Sequence, residues 1–472
     1  MVFSSITFLA YFLPIFLLLY FIIDKRYKNI LLLVGSIIFY SWGAPKFIFV
    51  ILFTTFLDFH LVRWMDSLHK PLHRRLLLAL SVSINLGLLF YFKYCNFFIG
   101  NINRGLHLAG IGEIPLLNVV MPIGISFYTF ETITYVVDVY RRVHKPLHKF
   151  WDYQLYIILF PKLIAGPIIR YHELADQIND RPDKIDDKLH GFYRFVIGLA
   201  KKVIIANYMG QHAQHLFSWD LNSLDAAGAW MGALCYTFQI YFDFSGYSDM
   251  AIGIGRMLGF KFPENFHNPY TATSVTDFWR RWHITLGNWM RNYLYIPLGG
   301  NRVKRPIFVY INLCIVFLVS GFWHGAMWSF IFWGAYHGFF LVMERLFLLK
   351  VYKKIGRIAS MLFTFIIVLI GWVPFKLESM SKTLLFLKAM FSFQVSGIFR
   401  WDHEFYFYLV LAIIFSFFTT FKWGQKIQDS IYVNEYGLGK HVIATLTSIA
   451  LMLVCISFVA ASGFNPFIYF RF

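Results

Sequence analysis

Apolar segments of about membrane-crossing length follow one another along this chain, and that constrains its fold more than any other feature. A hydrocarbon core about 30 Å thick needs roughly 17–25 apolar residues as a helix. Segments of roughly this kind fall at about 6–23, 30–44, 46–62, 76–99, 118–140, 190–210, 226–258, 306–322, 326–343, 357–375, 404–421 and 441–461. Inside lipid every backbone N–H and C=O must be satisfied within the protein, so helices are the economical solution. The expected fold class is therefore all-α: a polytopic transmembrane helical protein with about 11–12 spans plus re-entrant and interfacial helices. Charged residues make up 14% of the chain, against about 25% in soluble domains. No repeat or linker divides it, so residues 1–472 read as a single membrane-embedded domain.

The net charge of +18 would suggest nucleic acid if it sat on a soluble domain. Here the basic residues fall in short runs between apolar segments, as the positive-inside rule requires. The lipid bilayer is thus the expected partner of this charge, with no nucleic acid. Phe8–Ile23 has no basic region before it and is followed by Asp24-Lys25-Arg26-Tyr27-Lys28, so it reads as a first span stopped on the cytoplasmic side. One stretch breaks the alternation. Tyr153–Ile168 contains Pro161, Lys162, Gly166 and Pro167. If it re-enters rather than crosses, residues 211–225, which lack Lys and Arg, lie outside, and the basic 259–305 lies inside. The four cysteines are scattered in apolar stretches, with no disulfide or zinc spacing. No metal site is expected.

Ionisable residues in such segments are the functional candidates. Thr276–Tyr293 reads as one amphipathic helix, with Thr276 as N-cap and Asp277 in the first turn. Trp279, Trp282, Leu286, Trp289, Met290 and Tyr293 share a face; Asp277, Arg280, Arg281, Asn288, Arg291 and Asn292 share the opposite one. That places the helix at the cytoplasmic interface. His283 falls at the edge of the apolar face, and both a packed and a functional histidine fit the spacing. The arginines could meet a phosphate-bearing substrate or anionic headgroups. A second site is Ser320-Gly321-Phe322-Trp323-His324-Gly325. The apolar run from Pro306 to Met343 would be roughly 55 Å long as one helix, so it must bend near Gly321–Gly325. An imidazole at a glycine-flanked break is suited to act as a base near neutral pH. Asp243 and Asp249 lie in another putative span, where catalytic, cavity-lining and structural roles all remain open; Glu131 and Asp138 raise the same question. Gly253-Ile254-Gly255 follows no strand and is explained by helix packing rather than dinucleotide binding. His172-Glu173 lacks the second histidine of a zinc-protease motif, since Asp176 stands there.

Several stretches together carry a family resemblance: MVFSSITFLAYFLPIFLLLYF at the start, MPIGISFYTFETITYVVDVYR (121–141), FPKLIAGPIIRY (160–171), QIYFDFSGYSDMAIGIGRMLGF (239–260), NFHNPYTATSVTDFWRRWHITLGNWMRNYLYIPLGGN (265–301), GFWHGAMWSFIFWGAYHG (321–338) and the closing FNPFIYFRF. They resemble the membrane-bound O-acyltransferase (MBOAT) superfamily, most closely its alginate O-acetyltransferase membrane-subunit type. The resemblance implies the MBOAT fold, with His324 as catalytic base and His283 as the second catalytic histidine. Asp277, Arg280, Arg281, Trp282, Asn288, Trp323 and Asp243 are the expected substrate-binding residues. Gly287 departs from relatives, which tend to carry Ser there. The resemblance further implies no bound cofactor, cytoplasmic acetyl-CoA as acyl-donor substrate, and an acceptor hydroxyl reached from outside. It also implies an extracytoplasmic acetyltransferase partner of the cell envelope, acting on a polysaccharide, and a multi-pass location in the bacterial cytoplasmic membrane. D-alanyl transfer to teichoic acid is an alternative from a more distant branch. A glycan or lipid flippase is an alternative of another class, but it predicts internal repeats that the sequence lacks.

Overall fold

The computed structural model describes residues 1–397, 399–433, 435–461, 463 and 467–468. Of the closing FNPFIYFRF, only Phe467 and Ile468 are therefore described. The described residues form helices and connecting loops, without strands. By internal contacts they pack as two compact units.

Unit 1 comprises residues 1–184 with Leu258–Phe262. It holds α1 (Leu13–Ile22), α2 (Lys28–Ser41), α3 (Ile48–Ser67), α4 (Pro71–Leu89), α5 (Cys95–Leu108), α6 (Ile125–Tyr140), α7 (Phe150–Ile158), α8 (Phe160–Leu163) and α9 (Tyr171–Asn179). The stretch read as re-entrant is the nine-residue α7 and four-residue α8, broken at Leu159 and neither long enough to cross. Every residue from Tyr153 to Ile169 is buried, which is where irregular backbone is tolerated at membrane depth. Lys162 pairs there with Glu131, both fully buried, and its ammonium lies 4.7 Å from the Tyr156 ring. Asp138 bonds His172 at 2.8 Å. Each of these acids thus has the partner that burial demands.

Unit 2 comprises Ile185–Met257 and Pro263–Ile468. It holds α10 (Ile185–Ala200), α11 (Asn207–Phe217), α12 (Ala226–Met257), α13 (Val275–Arg281), α14 (Ile284–Met290), α15 (Pro306–His324), α16 (Trp328–Met343), α17 (Leu349–Ile355), α18 (Arg357–Leu377), α19 (Met380–Met390), α20 (His403–Phe417), α21 (Lys422–Tyr432) and α22 (Leu438–Ala461). The 32-residue α12 is buried over nearly its whole length. It crosses α10 at backbone contact: a Cβ on Gly253 would stand 2.6 Å from the Gly191 carbonyl oxygen, and one on Gly198 would stand 2.6 Å from that of Gly246. Gly253 therefore serves helix packing, as its sequence context suggests.

Six helical stretches among the described residues are long and apolar enough to cross a membrane: Ile48–Ser67, Pro71–Leu108, Pro306–His324, Arg357–Leu377, His403–Thr420 and Leu438–Ala461. The other segments read as spans are shorter helices such as Thr7–Ile22, or, in α12, a long helix made polar by residues such as Asp243 and Asp249.

Candidate active site

Both candidate histidines stand at helix breaks in unit 2. The helix read as continuous from Thr276 to Tyr293 is in fact two seven-residue helices, α13 and α14. Its N-cap is Ser274, whose hydroxyl accepts from the Asp277 amide at 3.0 Å, and not Thr276. Glu344 adds a second cap. Its carboxylate accepts from the amides of Val275 and Thr276 and from the Thr276 hydroxyl at 2.6 Å. A fully buried carboxylate across the first turn satisfies donors that the helix leaves open and opposes the helix dipole.

The break falls at His283, which adopts a left-handed backbone (φ 45°). The loop before α13 holds it there: the His267 amide donates to the Arg281 carbonyl, and the Ile284 amide to the Asn265 carbonyl, both at 2.9 Å. Trp282 packs among Phe266, Phe278 and Trp372 at ring separations of 5.1, 5.5 and 4.9 Å. His283 is buried, edge-on to Phe244 at 4.7 Å, with Nδ1 3.0 Å from Asn265 Oδ1. Neither α13 nor α14 is long enough to cross a bilayer. Burial pushes the His283 imidazole down to about 3, which keeps it neutral across the physiological range.

The second break matches the one read from sequence. His324 is the last residue of α15, Gly325 is extended, and α16 begins at Trp328. Close packing makes the glycines necessary: a Cβ on Gly321 would meet the Phe330 carbonyl oxygen at 2.2 Å, and one on Gly325 the Phe330 ring at the same distance. His324 is 3% exposed, against Trp333 at 5.2 Å and Phe375 at 5.1 Å. Trp323 joins the two histidines, with its ring 4.9 Å from His324 and 6.4 Å from His283.

The remaining candidates separate by place. Asp277 and Arg281, paired at 2.9 Å, line a 790 Å³ cavity together with Lys353, Arg357, Gln425 and Gln428. Arg280 is exposed and Asn288 half-buried, and neither lines that cavity. Asp243 is not in its lining either: Lys202 pairs with it at 2.7 Å and the Ile468 amide donates to it at 2.9 Å. Asp249 is bonded by Arg194 and Lys201 and lines a smaller cavity of 180 Å³ beside Asn265.

Sequence reasoning did not single out Asn265, Lys202 or Glu344. Glu344 left a signal, a lone acid closing the apolar run 328–343. Asn265 left none, since its partners lie 17 to 20 residues away in a loop without periodicity.

The model of the MBOAT, membrane-bound O-acyltransferase family, matches residues 36–373. A probable alginate O-acetylase of Pseudomonas putida is 40% identical, over 100% of both chains. A probable alginate O-acetylase of Pseudomonas aeruginosa is 43% identical over 83% of this chain and 75% of its own. A peptidoglycan O-acetyltransferase of Helicobacter pylori is 37% identical over 83% of this chain and 80% of its own.

Proposed function

Since the chain belongs to the membrane-bound O-acyltransferase family, we propose that this integral membrane O-acyltransferase uses His324 and His283 to pass an acetyl group from cytoplasmic acetyl-CoA toward an extracytoplasmic hydroxyl. The observation that carries the reading is the pair of buried histidines at two helix breaks, joined through Trp323.

His324 takes the proton of the acceptor hydroxyl as its oxygen attacks the thioester carbonyl. The C–S bond then breaks, and the departing thiolate receives the proton from the imidazolium. A thioester is activated enough that a base and a dry, preorganised pocket suffice. Aromatic rings around both imidazoles support the dryness of that pocket. His283 positions the donor or relays a proton. The cavity edged by Arg281, Lys353 and Arg357 offers cations to the donor's phosphates.

The names of the relatives, an alginate O-acetylase and a peptidoglycan O-acetyltransferase, favour a polysaccharide as final acceptor. An extracytoplasmic partner protein would carry the acetyl group to it from the bacterial cytoplasmic membrane. The test is transfer of radiolabelled acetyl from acetyl-CoA in membranes holding wild type, His324→Ala or His283→Ala at matched expression. Wild type is expected to label protein or glycan and His324→Ala to stop it. A correctly inserted His324→Ala protein with full transfer would refute the assignment.

A further inference from the structure

We infer that Asn265 is a positioning residue of this site, holding His283 in one tautomer and one ring plane. The inference rests on reading His283 as a working imidazole. Asn265 is fully buried, in the loop that leads from α12 to α13. Its Oδ1 accepts from the Thr285 hydroxyl at 2.9 Å and from the Thr285 amide at 3.4 Å. Its Nδ2 donates to the Ser248 hydroxyl at 3.0 Å.

These contacts settle which way the carboxamide points. A backbone N–H can only donate, so the atom facing Thr285 N has to be the carbonyl oxygen; a flipped amide would set two donors against each other. The third contact of that oxygen, His283 Nδ1 at 3.0 Å, must then be an N–H. A neutral imidazole carries one N–H, so the basic lone pair sits on Nε2.

The same asparagine also holds the backbone of the histidine. Its carbonyl accepts from the Ile284 amide at 2.9 Å, bracketing the left-handed turn at His283. Asn265 lines the smaller cavity with Arg194, Lys201 and Asp249, so it forms the wall between that polar space and the imidazole. With Asn265 absent, the ring could exchange tautomers and present an N–H where the reaction needs a lone pair.

The test compares Asn265→Leu, similar in size but without an acceptor, with Asn265→Asp, which keeps the acceptor oxygen. Acetyl transfer from radiolabelled acetyl-CoA is followed in membranes at matched expression, across donor concentrations. Asn265→Leu is expected to lower kcat about 10- to 100-fold, the scale of a misplaced catalytic group, with the donor KM within about twofold of wild type. Asn265→Asp should recover most of that loss. An aspartate variant no more active than the leucine one, or an effect confined to KM, overturns the inference. If Asn265→Leu does not insert, Asn265→Ala takes its place under the same criteria. His283→Ala in parallel keeps the two ideas apart: full transfer by that variant removes the role of His283 itself, and no transfer by wild type removes the donor assignment.

Discussion

At the scale of single residues, Asp243 and Lys202 show how unit 2 accommodates charge away from water. Asp243 and Lys202 meet at 2.7 Å with side chains 1% and 2% exposed. Two charges taken out of water are stable only together: removing one partner of a buried pair costs about 3–5 kcal/mol, whereas replacing both with apolar residues is often neutral. Asp243→Leu and Lys202→Met are therefore each expected to lower the melting temperature of the detergent-solubilised protein. The double variant should recover most of that loss and retain acetyl transfer. A double variant that is stable but inactive would support the substrate-binding role expected for Asp243 from sequence. The sequence makes Asp243 conspicuous, as an acid in an apolar helix, yet conceals its partner, because Lys202 lies 41 residues earlier on another element. Asn265 is the opposite case. An asparagine in a loop draws no attention by composition, and its importance comes only from what it touches.

At the scale of elements, the two breaks that present the histidines have different origins. The break after His324 follows from length and glycine spacing, because a helix from Pro306 to Met343 would overrun the bilayer. The break at His283 has no such cause. Thr276–Tyr293 has the periodicity of one amphipathic helix, and tertiary bonds from His267 and Asn265 override it. Local pattern therefore identified the apolar face and missed the kink. The sequence points to helix packing at Gly253 without naming its partner, and the energetics of the α10–α12 crossing can be tested. Alanine at Gly253 would set a Cβ 2.6 Å from the Gly191 carbonyl and 2.7 Å from the Phe195 amide, both of them backbone atoms that no rotamer change can move. Gly253→Ala should cost about 1–3 kcal/mol by overpacking, read as a lower melting temperature in detergent. Gly287→Ala should cost nothing or add stability, since the nearest atom to its Cβ is the Trp279 carbonyl oxygen at 3.6 Å. Equal effects of the two substitutions would refute the close-crossing account.

For the whole molecule, charge together with the length of α12 predicts an orientation. Thirty-two helical residues extend about 48 Å, enough for this mostly buried helix to reach across a bilayer of about 30 Å; a crossing α12 sets the loops at its two ends on opposite sides. The loop before it, from Ser218 to Asp225, has no basic residue, whereas the segment after it carries Lys261, Arg280, Arg281, Arg291, Arg302, Lys304 and Arg305. The positive-inside rule then predicts that the 790 Å³ cavity and the α13 helix face the cytoplasm. Ser223 and Arg302 are both exposed and report on the two ends. In a background with Cys95, Cys235, Cys314 and Cys455 replaced, Ser223→Cys should react with a membrane-impermeant maleimide on intact spheroplasts. Arg302→Cys should react only after permeabilisation. The reverse pattern would put that cavity outside, away from cytoplasmic acetyl-CoA, and the proposed transfer would need another acyl donor. Labelling of both positions from outside would mean that α12 does not cross, and the path of an acetyl group through unit 2 would have to be sought elsewhere.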